Sequence, residues 1–193
     1  MDENLYLILK RTAIILTIAW VGWTIYDSFF NEVIDPGDEI YLAANKLFED
    51  GEYERALETY QQALYEAPNH VHSIRGKARS LLKLKRYPEA LRTFDTAINR
   101  KPDFAGTYAN RGILYDWIGQ HEKALADYET ALQKDTELGD GPSWFTRFFR
   151  LQPEKPPTIV ERAKYLREQL AKPKSEQKLR VPEQDEQQRP YNM

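Results

Sequence analysis

Three cations recur at intervals of four: Arg75, Arg79 and Lys83. On a helix that spacing stacks side chains along one face, one turn above the next. Two guanidiniums and an ammonium in a row complement carboxylates, so the chemistry open to them is holding an acidic or carboxylate-bearing segment. Tyr41, Asn45 and Phe48 follow an i, i+4, i+7 pattern of their own, and Trp117 belongs to a third set built the same way. These residues offer ring and amide contacts beside the cations.

Bond-making chemistry has little to work with. The chain has no cysteine, which removes disulfides, thiolate metal sites, iron–sulfur clusters and a cysteine nucleophile. Its three histidines are His70, His72 and His121. His70 and His72 stand two apart, poor helical spacing for a shared metal, and read as polar surface residues. G-x-S-x-G, H-E-x-x-H and a phosphate-cradling glycine loop are all missing. Gly139-Asp140-Gly141 lacks a third glycine and a preceding strand, and Asp135 to Gly141 lacks the carboxylate spacing of a calcium loop. No enzyme, cofactor or metal is expected. With 27 basic and 30 acidic residues the formal net charge is −3, which argues against nucleic acid as a partner of the whole chain.

What must position the cations is a repeat. Ala56, Ala90 and Ala124 are spaced by 34, as are Tyr60, Phe94 and Tyr128, and Ala63, Ala97 and Ala131. Leu57, Leu91 and Leu125 keep the register, and so do Leu64, Ile98 and Leu132. Upstream, Ala44, Ala78 and Gly112 share it, with Leu47, Leu81 and Tyr115 three residues on. Pro68 and Pro102 close the first two units, and Thr136 stands where a third proline would be. Each unit reads as two helices split near Asp50-Gly51, Lys85-Arg86 or Ile118-Gly119. Small residues sit where the helices approach, large ones fill the gaps, and neighbouring units must stack to bury both faces.

This pattern resembles the tetratricopeptide repeat family, with units at 37–70, 71–104 and 105–138. Ile40, Ile74 and Tyr108 replace a large aromatic near the start of each unit, and Lys77 and Arg111 replace a usual leucine. The resemblance implies an all-α, right-handed solenoid with a concave groove lined by the first helix of each repeat. It places Tyr41, Asn45, Phe48, Arg75, Arg79, Lys83 and Trp117 in that groove, and implies a protein or peptide partner. Some family members hold a free C-terminus in a two-carboxylate clamp. Here Asn45 matches one clamp position. Tyr41 stands where a clamp lysine belongs, Gly76 at the second asparagine, and Gly106 and Asn110 at the remaining lysine and arginine, so the chaperone clamp is not expected.

Charge alternates along the repeats. The first has 2 basic and 8 acidic residues, the second 9 and 3, the third 3 and 6, giving −6, +6 and −3. Two readings fit: neighbouring repeats attract one another, or the cationic middle repeat serves a ligand.

Ahead of the repeats, residues 12–26 read TAIILTIAWVGWTIY without a charge. Lys10 and Arg11 separate them from a second apolar stretch, Leu5 to Leu9, and Phe29-Phe30 extends the far end. Trp20, Trp23 and Tyr26 suit a membrane interface. No small-residue cleavage pattern follows, so the expectation is an uncleaved transmembrane anchor over 12–30, contacting membrane lipid, after a short N-terminus at 1–11 and before a linker at 31–36. Lys10 and Arg11 precede the run and no basic residue follows until Lys46, which predicts a cytoplasmic N-terminus and repeats on the other side. In a bacterium that is the inner membrane with the repeats facing the periplasm.

Beyond residue 138 the period is lost. WFTRFFRL puts Trp144, Phe145, Phe148, Phe149 and Leu151 on one stripe, expected to cover the third repeat. Thr158 and Glu161 form a capping-box pair opening a helix to about Ala171, with Ile159, Ala163, Leu166 and Leu170 as its apolar stripe. Together, 139–171 read as capping helices and 172–193 as a disordered, solvated tail. The expected function is a membrane-tethered scaffold or adaptor. An accessory or assembly subunit of a membrane complex is one alternative, and a regulatory repeat protein of envelope biogenesis with cytoplasmic repeats is another.

Overall fold

The computed structural model describes residues 3–30, 36–140, 158–181 and 191. Among the described residues there are eight α-helices and no strand. The chain divides into two units at Asp35/Pro36.

The first unit is one helix, α1 (Glu3–Phe30). Within it Leu5–Asp27, 23 residues, is long and apolar enough to cross a membrane. At 1.5 Å per residue this stretch covers about 34 Å, more than a hydrocarbon core of roughly 30 Å. This apolar length starts ahead of residue 12, the expected start of an anchor, because Leu5–Leu9 continues the same helix, with Lys10 and Arg11 inside it. Thr12, Thr17 and Thr24 each donate their hydroxyl to a carbonyl three or four residues back, so these polar groups are satisfied within the helix.

The second unit is built from helix pairs: α2 (Pro36–Glu49) with α3 (Tyr53–Glu66), α4 (Val71–Lys83) with α5 (Tyr87–Arg100), and α6 (Ala105–Trp117) with α7 (His121–Lys134). The register read from the sequence is the register of burial. Ala44, Ala56, Tyr60 and Ala63 in the first pair are fully buried, as are Ala78, Ala90, Phe94 and Ala97 in the second and Ala124, Tyr128 and Ala131 in the third. Close approach is strict at Gly112, where an added Cβ would lie 2.7 Å from the Tyr128 ring.

All three pairs turn in the same way. The amides of Glu52, Arg86 and Gln120 reach back to the carbonyls of Leu47, Leu81 and Tyr115, and those of Gly51, Lys85 and Gly119 to Phe48, Leu82 and Asp116. This Schellman arrangement satisfies the last carbonyls of the first helix and needs a left-handed residue. The left-handed positions are Gly51, Lys85 and Gly119, at φ 82°, 59° and 78°. Repeats are also joined across their boundaries. Arg111, which stands in place of a leucine, donates to Asp127 at 2.7 and 2.8 Å and to Asp95 of the preceding repeat at 2.7 Å.

A last helix, α8 (Ile159–Leu170), lies on α7. It opens as the sequence suggests, with the Thr158 amide and hydroxyl both donating to Glu161 Oε2. Ile159, Ala163 and Leu166 are buried in the core that α6 and α7 share. The Trp144–Leu151 segment expected to cover the third repeat lies outside the described residues.

One expectation needs correcting. Residues 172–193 were read as a solvated tail. Among those described, Leu179 and Tyr191 pack against the core of the third repeat, and Lys178, Leu179 and Arg180 are hydrogen-bonded to it or to α8. The local composition cannot fold alone, but it does not have to: buried polar groups on α6 and α8 supply its partners.

Candidate peptide-binding groove

The first helices of the pairs, α2, α4 and α6, are neighbours, and α4 contacts both others. They bring the sequence-chosen residues of the first two repeats onto one side. Tyr41 on α2 packs against His70 and His72 at ring separations of 5.4 and 5.6 Å. The Arg79 guanidinium lies 4.1 Å over the Phe48 ring. Arg75 lies 3.8 Å over Phe104, the residue that opens α6. Lys83 reaches toward Tyr53 at 5.9 Å. Asn45 accepts from the Tyr60 hydroxyl at 3.3 Å. Trp117 is separate from this group, on α6, edge-on to Tyr87 at 6.5 Å.

The cation row is thus held by ring faces, Phe48 and Tyr53 from the first repeat and Phe104 from the junction ahead of α6. It is also far more buried than the sequence suggested. Arg75 and Arg79 were expected outside the core, yet they are 0% and 1% exposed and are among the largest fully buried side chains. Burial holds both guanidiniums below their ordinary pKa, and nearby Tyr41 works in the other direction. An arginine stays charged through such a shift, so α4 carries buried positive charge. Among the described residues, Nε, Nη1 and Nη2 of Arg75 find no hydrogen-bond acceptor. Repeat-to-repeat attraction does not account for Arg75. Asp38 pairs with His70, Asp127 with Arg111, and Asp116 with Arg162 and His121, while Glu49 acts on Arg79; among the described residues no carboxylate pairs with Arg75.

The histidines also differ from expectation. His70 is buried, not a surface group. Its Nδ1 accepts from the Ser73 amide at 3.3 Å, capping α4, so Nε2 carries the proton and donates to Asp38 at 2.9 Å. His72 is held below its ordinary pKa by burial and by the charge of Arg75. The repeat offers a signal for this position: His70 and Phe104 are 34 apart, and both touch the cation row or its neighbours.

Two features of the third repeat were missed. Asp116 on α6 is buried and accepts from Arg162 at 2.6 and 2.8 Å, from His121 at 2.9 Å and from the Tyr128 hydroxyl at 3.3 Å. Asn110, fully buried, holds the backbone of Tyr191. Neither partner is within 30 residues of α6 in sequence for Arg162 or Tyr191, so no local pattern pointed to them. Among the described residues no cluster of three metal-ligating side chains is found. The arrangement presents charge, ring faces and an amide group side by side.

Similarity to known proteins agrees with the geometry. Two tetratricopeptide repeat family profiles match residues 47–110 and 105–135. The chain is 31% identical over 115 residues to the Hsp70-Hsp90 organizing protein of Triticum aestivum, covering 57% of this chain and 20% of that one. It is 27% identical over 106 residues to Hsp70-Hsp90 organizing protein 3 of Arabidopsis thaliana, covering 54% and 19%. The chain therefore spans about a fifth of the length of these relatives. Among solved structures, the first repeat domain of Spaghetti (RPAP3) bound to the HSP90 peptide SRMEEVD superposes with a TM-score of 0.56 at 18% identity, over 71% of this chain and 94% of that one. The second such domain, with the same peptide, gives 0.50 at 26% identity, over 52% and 94%. Period, helix pairing, turn geometry and these matches converge on one conclusion: the helical array of this chain is made of tetratricopeptide repeats.

Proposed function

We propose that the chain is a membrane-tethered scaffold that takes an acidic or carboxylate-bearing segment of a partner protein against Arg75, Arg79 and Lys83. The observation that carries this reading is Arg75: a buried guanidinium with no acceptor among the described residues, 3.8 Å over the Phe104 ring. A buried charge without a counter-charge is costly, and an arriving carboxylate relieves that cost with paired hydrogen bonds. Tyr41, Asn45 and Phe48 border the row and supply flanking contacts. A repeat domain related in fold, at 26% identity, is bound to an acidic peptide. The chaperone peptide itself is not carried over, because Tyr41, Gly76, Gly106 and Asn110 stand where the clamp needs other residues.

Tethering rests on α1. Its apolar length suits a span, and Lys10 and Arg11 with no basic residue following before Lys46 favour a cytoplasmic N-terminus. An anchor joined to the repeats by a short linker raises the effective concentration of a membrane-associated partner.

The test is photocrosslinking in living cells from positions 41 and 45. A partner bearing an acidic segment should be captured by the wild-type chain and lost when Arg75→Glu and Arg79→Glu are combined. Capture unchanged by that double reversal contradicts the reading.

A further inference from the structure

The third repeat carries a second feature, independent of the cation row. A carboxamide side chain has the same donor and acceptor as a peptide group. Asn110 uses both on one residue: Nδ2 donates to the Tyr191 carbonyl at 3.1 Å, and Oδ1 accepts from the Tyr191 amide at 2.7 Å. This is two-point recognition of a peptide main chain, and it reads no side chain. With Tyr191 in place Asn110 has no exposure, so both of its polar atoms are matched by main chain and not by water.

The Tyr191 side chain is held separately. Its ring packs on the apolar core of the third repeat, and its hydroxyl accepts from the Ile159 amide at 3.1 Å, one of the unpaired donors at the start of α8. The same segment touches α6 and α8 again upstream. Arg162 donates to the Leu179 carbonyl at 3.0 Å, Gln169 accepts from the Lys178 amide at 3.1 Å, and Arg180 donates to the Trp117 carbonyl at 3.0 Å. Most of these contacts are to backbone, as in a bound extended peptide.

We propose that Asn110 and the ring pocket at the start of α8 form a main-chain-reading peptide site, and that Tyr191 of the chain itself is its resident occupant. An external peptide reaches this part of the groove by displacing that residue. The proposal goes beyond the acidic-partner reading and does not depend on it, since its ligand is already in the chain.

The test uses the full chain in mild detergent and a fluorescein-labelled peptide with the sequence of residues 182–193, followed by anisotropy. Wild type should bind the probe weakly, because the internal copy is present at high effective concentration. Tyr191→Ala should bind it at least tenfold more tightly, and adding Asn110→Ala should abolish the gain. Tyr191→Phe keeps the ring and loses the acceptor, so a smaller gain is expected. Equal binding to wild type and Tyr191→Ala overturns the proposal, because the site would then be unoccupied. It is equally overturned if folded Tyr191→Phe and Tyr191→Ala both fail to bind, or if neither folds: Tyr191 is then a fixed part of the fold. An acidic partner that fails to bind at Arg75 leaves these outcomes unchanged.

Discussion

The second and third repeats share one backbone and differ in how their first helices are completed. In register, Arg75 corresponds to Ala109, Gly76 to Asn110, Arg79 to Ile113, Leu82 to Asp116 and Lys83 to Trp117. The third repeat buries a carboxylate and surrounds it: two bonds from Arg162, one from His121, one from Tyr128. The second repeat buries a guanidinium at Arg75, which among the described residues has the face of Phe104 and no hydrogen-bond acceptor. Among the described residues, one buried charge is matched and the other is not. The contrast locates where an outside ligand has something to contribute, since a group already matched gains nothing from a new partner.

The largest effect should come from breaking the finished charge. Arg162→Met leaves Asp116 without its guanidinium, and losing one partner of a buried pair costs about 3–5 kcal/mol. For a unit of this size the melting temperature should fall by roughly 10 °C, measurable by circular dichroism. A smaller loss is expected at the position where the two repeats differ in bulk. A Cβ at Gly76 would lie 2.2 Å from the Tyr60 ring, whereas the equivalent site accommodates all of Asn110. Gly76→Ala should therefore destabilise by about 1–3 kcal/mol in denaturant unfolding. A folded Gly76→Ala at wild-type stability would mean that the first two repeats pack less closely than described.

Much of this was legible in the sequence, for a physical reason. The repeat forces the same small residue at each helix crossing, so Ala56, Ala90 and Ala124 announce the core without any long-range information. The turn register was equally readable, with a gain to be had from it. Lys85 takes the left-handed position that Gly51 and Gly119 take elsewhere. Lys85→Gly should relieve strain and stabilise by roughly 0.5–1 kcal/mol, with Gly119→Ala shifting unfolding the other way. The site was less legible. Spacing put Arg75 and Arg79 on a common face, but it could not show how deep they sit, because the rings over them are Phe48 of the first repeat and Phe104 at the junction ahead of α6. Asn110–Tyr191 and Asp116–Arg162 join positions 81 and 46 residues apart and follow no period.

The smallest effect on stability is the most telling. Arg75 is read here as a charge kept for a ligand and not for the fold. Replacing it with an uncharged side chain of similar length, Arg75→Met, removes a buried unpaired charge and keeps the contact with Phe104. Equilibrium unfolding of the Arg75→Met chain in urea, beside wild type and Arg162→Met, is the direct test. The account predicts stability within about 1 kcal/mol of wild type, or a gain, for Arg75→Met, against the large loss for Arg162→Met. A loss at Arg75 comparable to that at Arg162 would show that the guanidinium holds the fold together, and would contradict the claim.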